Sequence, residues 1–392
     1  DVAAVGAVFG EKSMWERPNW FTPNEDGAGV SSRGALEALR PRGWAGQHWS
    51  PAIGAEALAT RQAAALFDES SFAKIEIEGE GALAFLQRLC ANDIDRPTGT
   101  ITYTQMLNRR GGIECDFTVT RLAADGFLIV TGTAFGNHDL GWIRGQLPPG
   151  GAADVRVRDV TSARACLGIW GPKAREILQP LTKDDLSNEA FPYLAAREIT
   201  IGDVPVLALR VTYVGELGWE LYCPSEYGSA LWKALWDAGA PHGMVAAGYR
   251  AIDALRLEKG YRVWSSDITP EETPYEAGLG FAVKPDKAVE FIGREALVRA
   301  KAAGPRKRLR CLVLDDARSV CLGNEPVRVG GAIVGRVTSG GYGFAVARSI
   351  AFAYLPPDGA AIGTRGEVEV FGEWIGFEIA REPLWDPEGA RI

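Results

Sequence analysis

Histidine is scarce in this chain. Three occur in 392 residues, at positions 48, 138 and 242, and none stand at ligand spacing, which argues against a zinc centre. The six cysteines (Cys90, Cys115, Cys166, Cys223, Cys311, Cys321) are scattered with no CxxC pair, as expected of reduced thiols in a cytosol-like compartment. No apolar run approaches the roughly 18 residues of a membrane-spanning helix. The N-terminus lacks a basic-then-apolar leader, so the expected location is cytoplasmic. Positive charge is also short: 42 Lys and Arg stand against 50 Asp and Glu, for a net charge of −8, which speaks against a nucleic-acid partner. There is no GxSxG elbow, no GxxxxGKS or GxxxxGKT, and no GxGxxG at a strand-to-helix turn. The nearest strings, Gly278 to Gly280 and Gly330 to Gly335, have the wrong spacing. The dinucleotide and P-loop classes therefore lack the glycine turn that brings phosphate to a helix N-terminus. The chain opens on Asp1 without an initiator methionine, which points to processing or to a longer protein.

What is present is a chain of ordinary globular composition, long enough for two or three domains. Tyr103 to Thr120, YTQMLNRRGGIECDFTVT, reads as strand, tight turn, strand. Side chains alternate along a strand, so Asp116, Thr118 and Thr120 share one face and Cys115 points the other way, as packing. A carboxylate in a run with Ile113, Phe117 and Val119 is costly to bury without a partner. Either Asp116 is solvated, or it meets a cationic or proton-sharing ligand in a cavity. In Tyr213 to Tyr222, YVGELGWELY, Glu220 and Tyr222 share a strand face opposite Trp219 and Leu221. Glu220 is either exposed on a half-buried hairpin or aimed into a pocket, where it could accept paired hydrogen bonds from a planar N–H edge such as that of a pterin. Arg256 to Arg262 reads as a helix C-terminus capped at Gly260, which leaves Tyr261 and Arg262 free to line a site just beyond it.

Residues 1 to about 50 are rich in Trp, Pro and Gly without periodicity, an irregular segment expected to pack against a surface through Trp15, Trp20, Trp44 and Trp49. Helices are expected at Glu56–Leu66, Ala82–Leu89, Ala174–Leu178, Gly228–Trp236 and Tyr249–Glu258. Strands are expected at Phe72–Ile77, from Thr100 through the turn to Thr120, at Phe127–Thr131, and paired across Ile199–Val211 around Gly202-Asp203. After a basic connector from Lys301 to Arg310, short strands alternate with turns in the manner of a small β-barrel or sandwich. The class is α+β, with a terminal β domain.

Taken together, LFDESSF (66–72), CANDID (90–95), the 103–120 string, YVGELGWELY, LRLEKGYR (255–262), DITPEETPYEAGLGFAVKPDK (267–287), FIGREAL (291–297) and TSGGYG (338–343) resemble the folate-binding aminomethyltransferase family of the glycine cleavage T-protein. The closer resemblance is to the C-terminal half of dimethylglycine and sarcosine dehydrogenases and oxidases. VGAVFGEKSMWERPNWF (5–21) resembles the segment leaving their flavin domain. The resemblance implies a three-lobed fold with a C-terminal small β-barrel, divided as a linker over 1–45, a folate-binding domain over 46–300 and the barrel over 301–392. It implies tetrahydrofolate in a central cavity, with FAD only on a missing domain or partner chain. Asp116 would be catalytic, and Tyr103, Thr118, Val130, Tyr213, Glu220 and Tyr261 would hold the cofactor, with no metal. T-proteins usually carry two adjacent acids where this chain has Cys115-Asp116, which favours the dehydrogenase-linked branch. The implied partners are a small methylated amine or amino acid, or its iminium product, and a flavin oxidoreductase domain or subunit. The implied function is capture of the carbon from oxidative N-demethylation as 5,10-methylenetetrahydrofolate. A stand-alone folate-dependent demethylase and a non-catalytic folate-binding protein are the alternatives.

Overall fold

The computed structural model describes residues 1–148 and 154–392. Two antiparallel-dominated sheets and a barrel make three lobes. In the first sheet the strand order is Ile101–Leu107, Ile113–Ala123, Gly126–Thr131, Ala73–Glu78, Arg156–Asp159. Its inward face, with Cys115, Phe117 and Val119, packs on the helices Ala82–Leu89 and Gly136–Gly145. The alternation read from the sequence thus sends Asp116 and Thr118 to the opposite face.

In the second sheet the order is Ala196–Ile201, Val204–Leu209, Gly218–Pro224, Arg164–Trp170, Ala65–Asp68, Val245–Ala247, the last pair parallel. Trp219 and Leu221 face a core completed by the helices Ala174–Leu178 and Gly228–Gly239. The sheets meet face to face through Ile101, Leu128, Val130, Leu209 and Tyr222. The third lobe is a closed six-stranded barrel ordered Arg308–Leu314, Arg348–Leu355, Ala332–Gly343, Pro326–Val329, Arg365–Val370, Glu373–Ala380. The architecture is the three-lobed α+β arrangement with a terminal barrel. The expected "connector" is itself structured, with Lys301 in the helix Arg294–Ala303 and Arg308 and Arg310 in the first barrel strand.

Two local expectations are corrected. The helix expected over Glu56–Leu66 runs Pro51–Gln62, and Ala65 and Leu66 lie in a strand. Its start is set by Ser50, whose Oγ accepts from the Ala52 N–H at 3.2 Å, and by Pro51 in the first turn. The helix is buried on nearly every side, so it has no polar stripe to give it a period. The N-terminal segment is not irregular throughout: Ala7–Lys12 and Trp15–Phe21 form an antiparallel hairpin. Its turn places Ser13 and Met14 at φ 52° and 67°, without the Asn-Gly or Gly pair that normally announces such a turn. Part of the surface it packs against is on this chain: Trp20 and Trp49 join the core beside the helix Tyr249–Glu258, whereas Trp44 stays 66% exposed. Phe21 enters the second sheet's core, and Glu56 accepts from the Phe21 N–H at 2.7 Å and the Asn24 amide at 3.0 Å.

The lobes are fastened by charges at their junctions. Asp267, fully buried, receives Arg256 Nη1 at 2.8 Å on Oδ2, while its Oδ1 accepts from the hydroxyls of Thr338 and Ser339, each at 2.6 Å. The TSGGYG string thus joins the barrel to the loop after the helix Tyr249–Glu258. Nearby, Arg61 bonds Glu216 at 3.0 Å and Glu258 at 2.8 Å, with all three side chains buried.

Candidate functional site

The polar faces of the two sheets, the end of the helix Tyr249–Glu258, the barrel's Thr338–Tyr342 and the segment 383–392 enclose a cavity of about 1070 Å³. Tyr103, Asp116, Thr118, Val130, Tyr213, Glu220 and Tyr261 all line it. Seven residues spread over 159 positions of chain therefore border one space.

Asp116 sits on the strand after the turn. That turn is tight because Gly111 takes φ 87° and because a Cβ on Gly112 would lie 1.9 Å from the Pro270 carbonyl oxygen. Asp116 Oδ1 accepts from the Tyr103 hydroxyl at 2.6 Å and from Gln105 Nε2 at 2.8 Å. Its Oδ2 carries no protein partner among the described residues and belongs to the cavity wall. Burial lifts the carboxyl to about 6, against the pull of the Gln105 and Tyr103 donors and with a small upward push from Asp139. The group is thus poised to change charge near neutrality.

Glu220 is 8% exposed, and that exposure is to the cavity. Its Oε2 accepts from the Tyr222 hydroxyl at 2.5 Å, which leaves Oε1 for a ligand. Burial lifts it to about 7, while Tyr222 and Lys74 pull it down. Behind it lies Glu69, fully buried, with neither carboxyl oxygen hydrogen-bonded among the described residues. Burial and the neighbouring Glu220 and Asp68 hold it well above the carboxylate range. The Tyr213 hydroxyl donates to the Arg262 carbonyl at 2.5 Å, and its ring stacks on Tyr261 at 5.7 Å. This stack is one flat wall of the cavity, and Tyr261 sits just past the Gly260 cap, where the helix-end reading left it free to line a site. Phe281 covers Tyr103 at 6.1 Å between ring centroids.

Sequence reading missed Gln105, Glu69 and Phe281. It also missed that Cys115, His138 and Asp139 gather within 4.8 Å. Two of them already pair with each other. His138 Nδ1 pairs with Asp139 Oδ1 at 3.0 Å, and Asp139 Oδ2 accepts from Thr131 at 2.7 Å. Cys115 is buried, and burial pushes its thiol up, so its packing role stands. Gln105 was legible in principle, since cross-strand pairing sets it opposite Asp116.

A family model described as the GCVT N-terminal domain matches residues 1–287, and one described as the glycine cleavage T-protein C-terminal barrel domain matches residues 307–386. Mitochondrial dimethylglycine dehydrogenase of Rattus norvegicus is 37% identical over 377 residues, 96% of this chain and 42% of that protein. A 4-methylaminobutanoate oxidase (formaldehyde-forming) of Paenarthrobacter nicotinovorans is 38% identical over 391 residues, 100% of this chain and 46% of that protein. The chain thus spans less than half the length of these two relatives. The crystal structure of glycine cleavage system aminomethyltransferase T from Bartonella henselae matches with a TM-score of 0.82 at 26% identity, covering 98% of this chain and 96% of that one. Among the described residues no helix is long and apolar enough to cross a membrane.

Proposed function

Since the chain belongs to the glycine cleavage T-protein family, we propose that it is a tetrahydrofolate-dependent one-carbon transfer unit of the dimethylglycine or sarcosine dehydrogenase type. It would take the carbon released by oxidative N-demethylation of a methylated glycine, as an iminium or as formaldehyde, and yield 5,10-methylenetetrahydrofolate. The oxidation itself would fall to a flavin domain or partner, with residues 1–45 as the segment leading from it. The observation that carries this reading is the pair of half-satisfied carboxylates, Asp116 and Glu220, facing one cavity, each with one oxygen that has no partner among the described residues.

The residues fit the pterin of tetrahydrofolate. Glu220 Oε1, held by the Tyr222 bond to its sister oxygen, is placed to accept from a planar N–H edge. The Tyr213–Tyr261 stack and Val130 supply flat apolar walls. When bound, tetrahydrofolate supplies the nitrogens that accept the one-carbon unit. Asp116 does the chain's own chemistry. While ionised, its Oδ2 would stabilise positive charge beside it; it would then take the proton released as the bond to carbon forms and return it to the departing amine or water. Thr118, on the same strand face, lines the approach to it.

Calorimetric titration with tetrahydrofolate, followed by formaldehyde addition, tests the reading. Binding together with product formation faster than in buffer supports it. Failure of the parent chain to bind removes it. Glu220→Gln is expected to weaken binding by at least about tenfold, the scale of one charge-assisted bond. Because Glu220 must be ionised to accept both bonds, the parent's affinity should decline as pH falls through about 7. An unchanged Glu220→Gln affinity takes Glu220 out of the pterin site. The 4-methylaminobutanoate oxidase relative favours a second reading on the donor alone, in which a longer methylated amino acid supplies the carbon to the same site.

A further inference from the structure

Gln105 lies on the strand Ile101–Leu107, paired across the sheet with Asp116. It is fully buried. One end of its amide donates to Asp116 Oδ1 at 2.8 Å. The other end, Oε1, is buried with no hydrogen-bond partner among the described residues. A buried amide oxygen left unpaired is unfavourable, so the site retains an unfavourable arrangement at this position. The opposite amide orientation would press Oε1 against a carboxylate oxygen, which fixes Nε2 as the atom that faces Asp116.

The geometry assigns Gln105 as a positioning residue for Asp116. With Tyr103 it pins Oδ1, so that Oδ2 is the one atom of the carboxyl free to exchange a proton with a ligand, and it stabilises the ionised form of that carboxyl in a buried setting. Two donors on one oxygen fix the rotation of the carboxyl about its last bond, and they leave the second oxygen unbonded on the cavity side. The unpaired Oε1 is then intelligible: no partner is placed there that would pull the amide away from Asp116. The other titratable groups facing Asp116 do not substitute for this. The Tyr103 hydroxyl shares Oδ1, Tyr213 lies across the cavity with its own hydroxyl committed to the Arg262 carbonyl, and Asp139 pushes the Asp116 carboxyl up, not down.

The role in proton transfer rests on the folate reading above; the effect on Asp116's ionisation does not. The test is Gln105→Leu and Gln105→Glu, each read in two ways. The first is the pH profile of methylenetetrahydrofolate formation, with kcat and tetrahydrofolate affinity separated. The second is the titration of the Asp116 carboxyl itself, followed by carbon NMR of the side-chain carboxyls, which needs no activity. Removal of the donor is expected to move the Asp116 titration, and with it the acid limb of kcat, upward from about 6 by about one pH unit. At pH 6 that is a several-fold loss falling on kcat and not on affinity. Gln105→Glu should move it further, since two carboxyls then face each other across the pair and share a proton. Gln105→Leu added to Asp116→Asn should cost nothing more. A loss of equal size at every pH, with the Asp116 titration in place, would mean that Gln105 only packs, and so would no change in either readout. If the Asp116 titration moves while the rate profile does not, the assignment of the catalytic atom is overturned. Should Gln105→Leu fail to fold, Gln105→Glu, which preserves shape, gives the same two readouts.

Discussion

Asp116→Asn is expected to slow formation of methylenetetrahydrofolate by about 10²–10⁴-fold, the range for removal of a positioned acid–base group. Affinity for tetrahydrofolate should stay within a few-fold of the parent. Asparagine preserves the shape and the hydrogen bond from Tyr103 but cannot hold a proton or a negative charge at Oδ2. The sign of the pH dependence follows from burial. The carboxyl is lifted to about 6, so below that pH it is mostly protonated and unable to accept. The parent's rate should rise with pH through about 6 and level off above it, and the variant should show no such limb. Measurement of kcat from pH 5 to 9 on both proteins decides the matter. A variant that keeps the parent's rate would leave Asp116 as a structural acid and return the chain to the non-catalytic folate-binding alternative.

Arg61→Met is the largest expected change in stability, about 3–5 kcal/mol, the cost of removing one partner from a buried ionic cluster. Arg61 is 3% exposed and Glu216 and Glu258 are each 1% exposed. Its guanidinium serves both carboxylates and the backbone carbonyls of Val214, at 2.6 Å, and Leu255, at 3.2 Å. Glu258 also accepts from the Ala345 N–H of the barrel at 2.7 Å, and Glu216 receives Trp385 at 2.9 Å and Arg391 at 2.9 Å from the final segment. Methionine fills much of the volume and neutralises nothing, so Glu258 would lose its one cationic partner among the described residues and Glu216 would keep only Arg391. Urea unfolding should show a lower midpoint with a similar slope. Adding Glu258→Gln to Arg61→Met should recover part of the loss, because one uncompensated charge is then removed. If the double variant is as unstable as the sum of the singles, the ionic account is wrong and Arg61 acts through packing.

The contrast between these two sites explains what the sequence could disclose. Asp116 and Glu220 were legible because a strand has a period of two, and each acid interrupts an apolar run beside a glycine turn. The helix Tyr249–Glu258 and its Gly260 end were legible from an equally local pattern, helical spacing followed by a capping glycine. Arg61 was not, because its partners lie 155 and 197 positions away and nothing near it marks the helix as buried on all sides. Gln105 looked like an ordinary polar strand residue, and only the cross-strand register set it against Asp116. The N-terminal hairpin was hidden because its turn uses Ser13 and Met14 at positive φ, where the usual turn residues are absent.

Asp267 places a condition on motion. Its two oxygens are divided between Arg256 of the helix and the hydroxyls of Thr338 and Ser339 in the barrel, and all of these border the cavity except the acid itself. The barrel cannot swing away without leaving a fully buried carboxylate short of two donors. Opening of the barrel strand Ala332–Gly343 and fraying of the helix Tyr249–Glu258 are therefore expected to form a single cooperative event in hydrogen exchange. A ligand that fills the cavity, by favouring the closed state, should slow amide exchange on barrel strands it never touches.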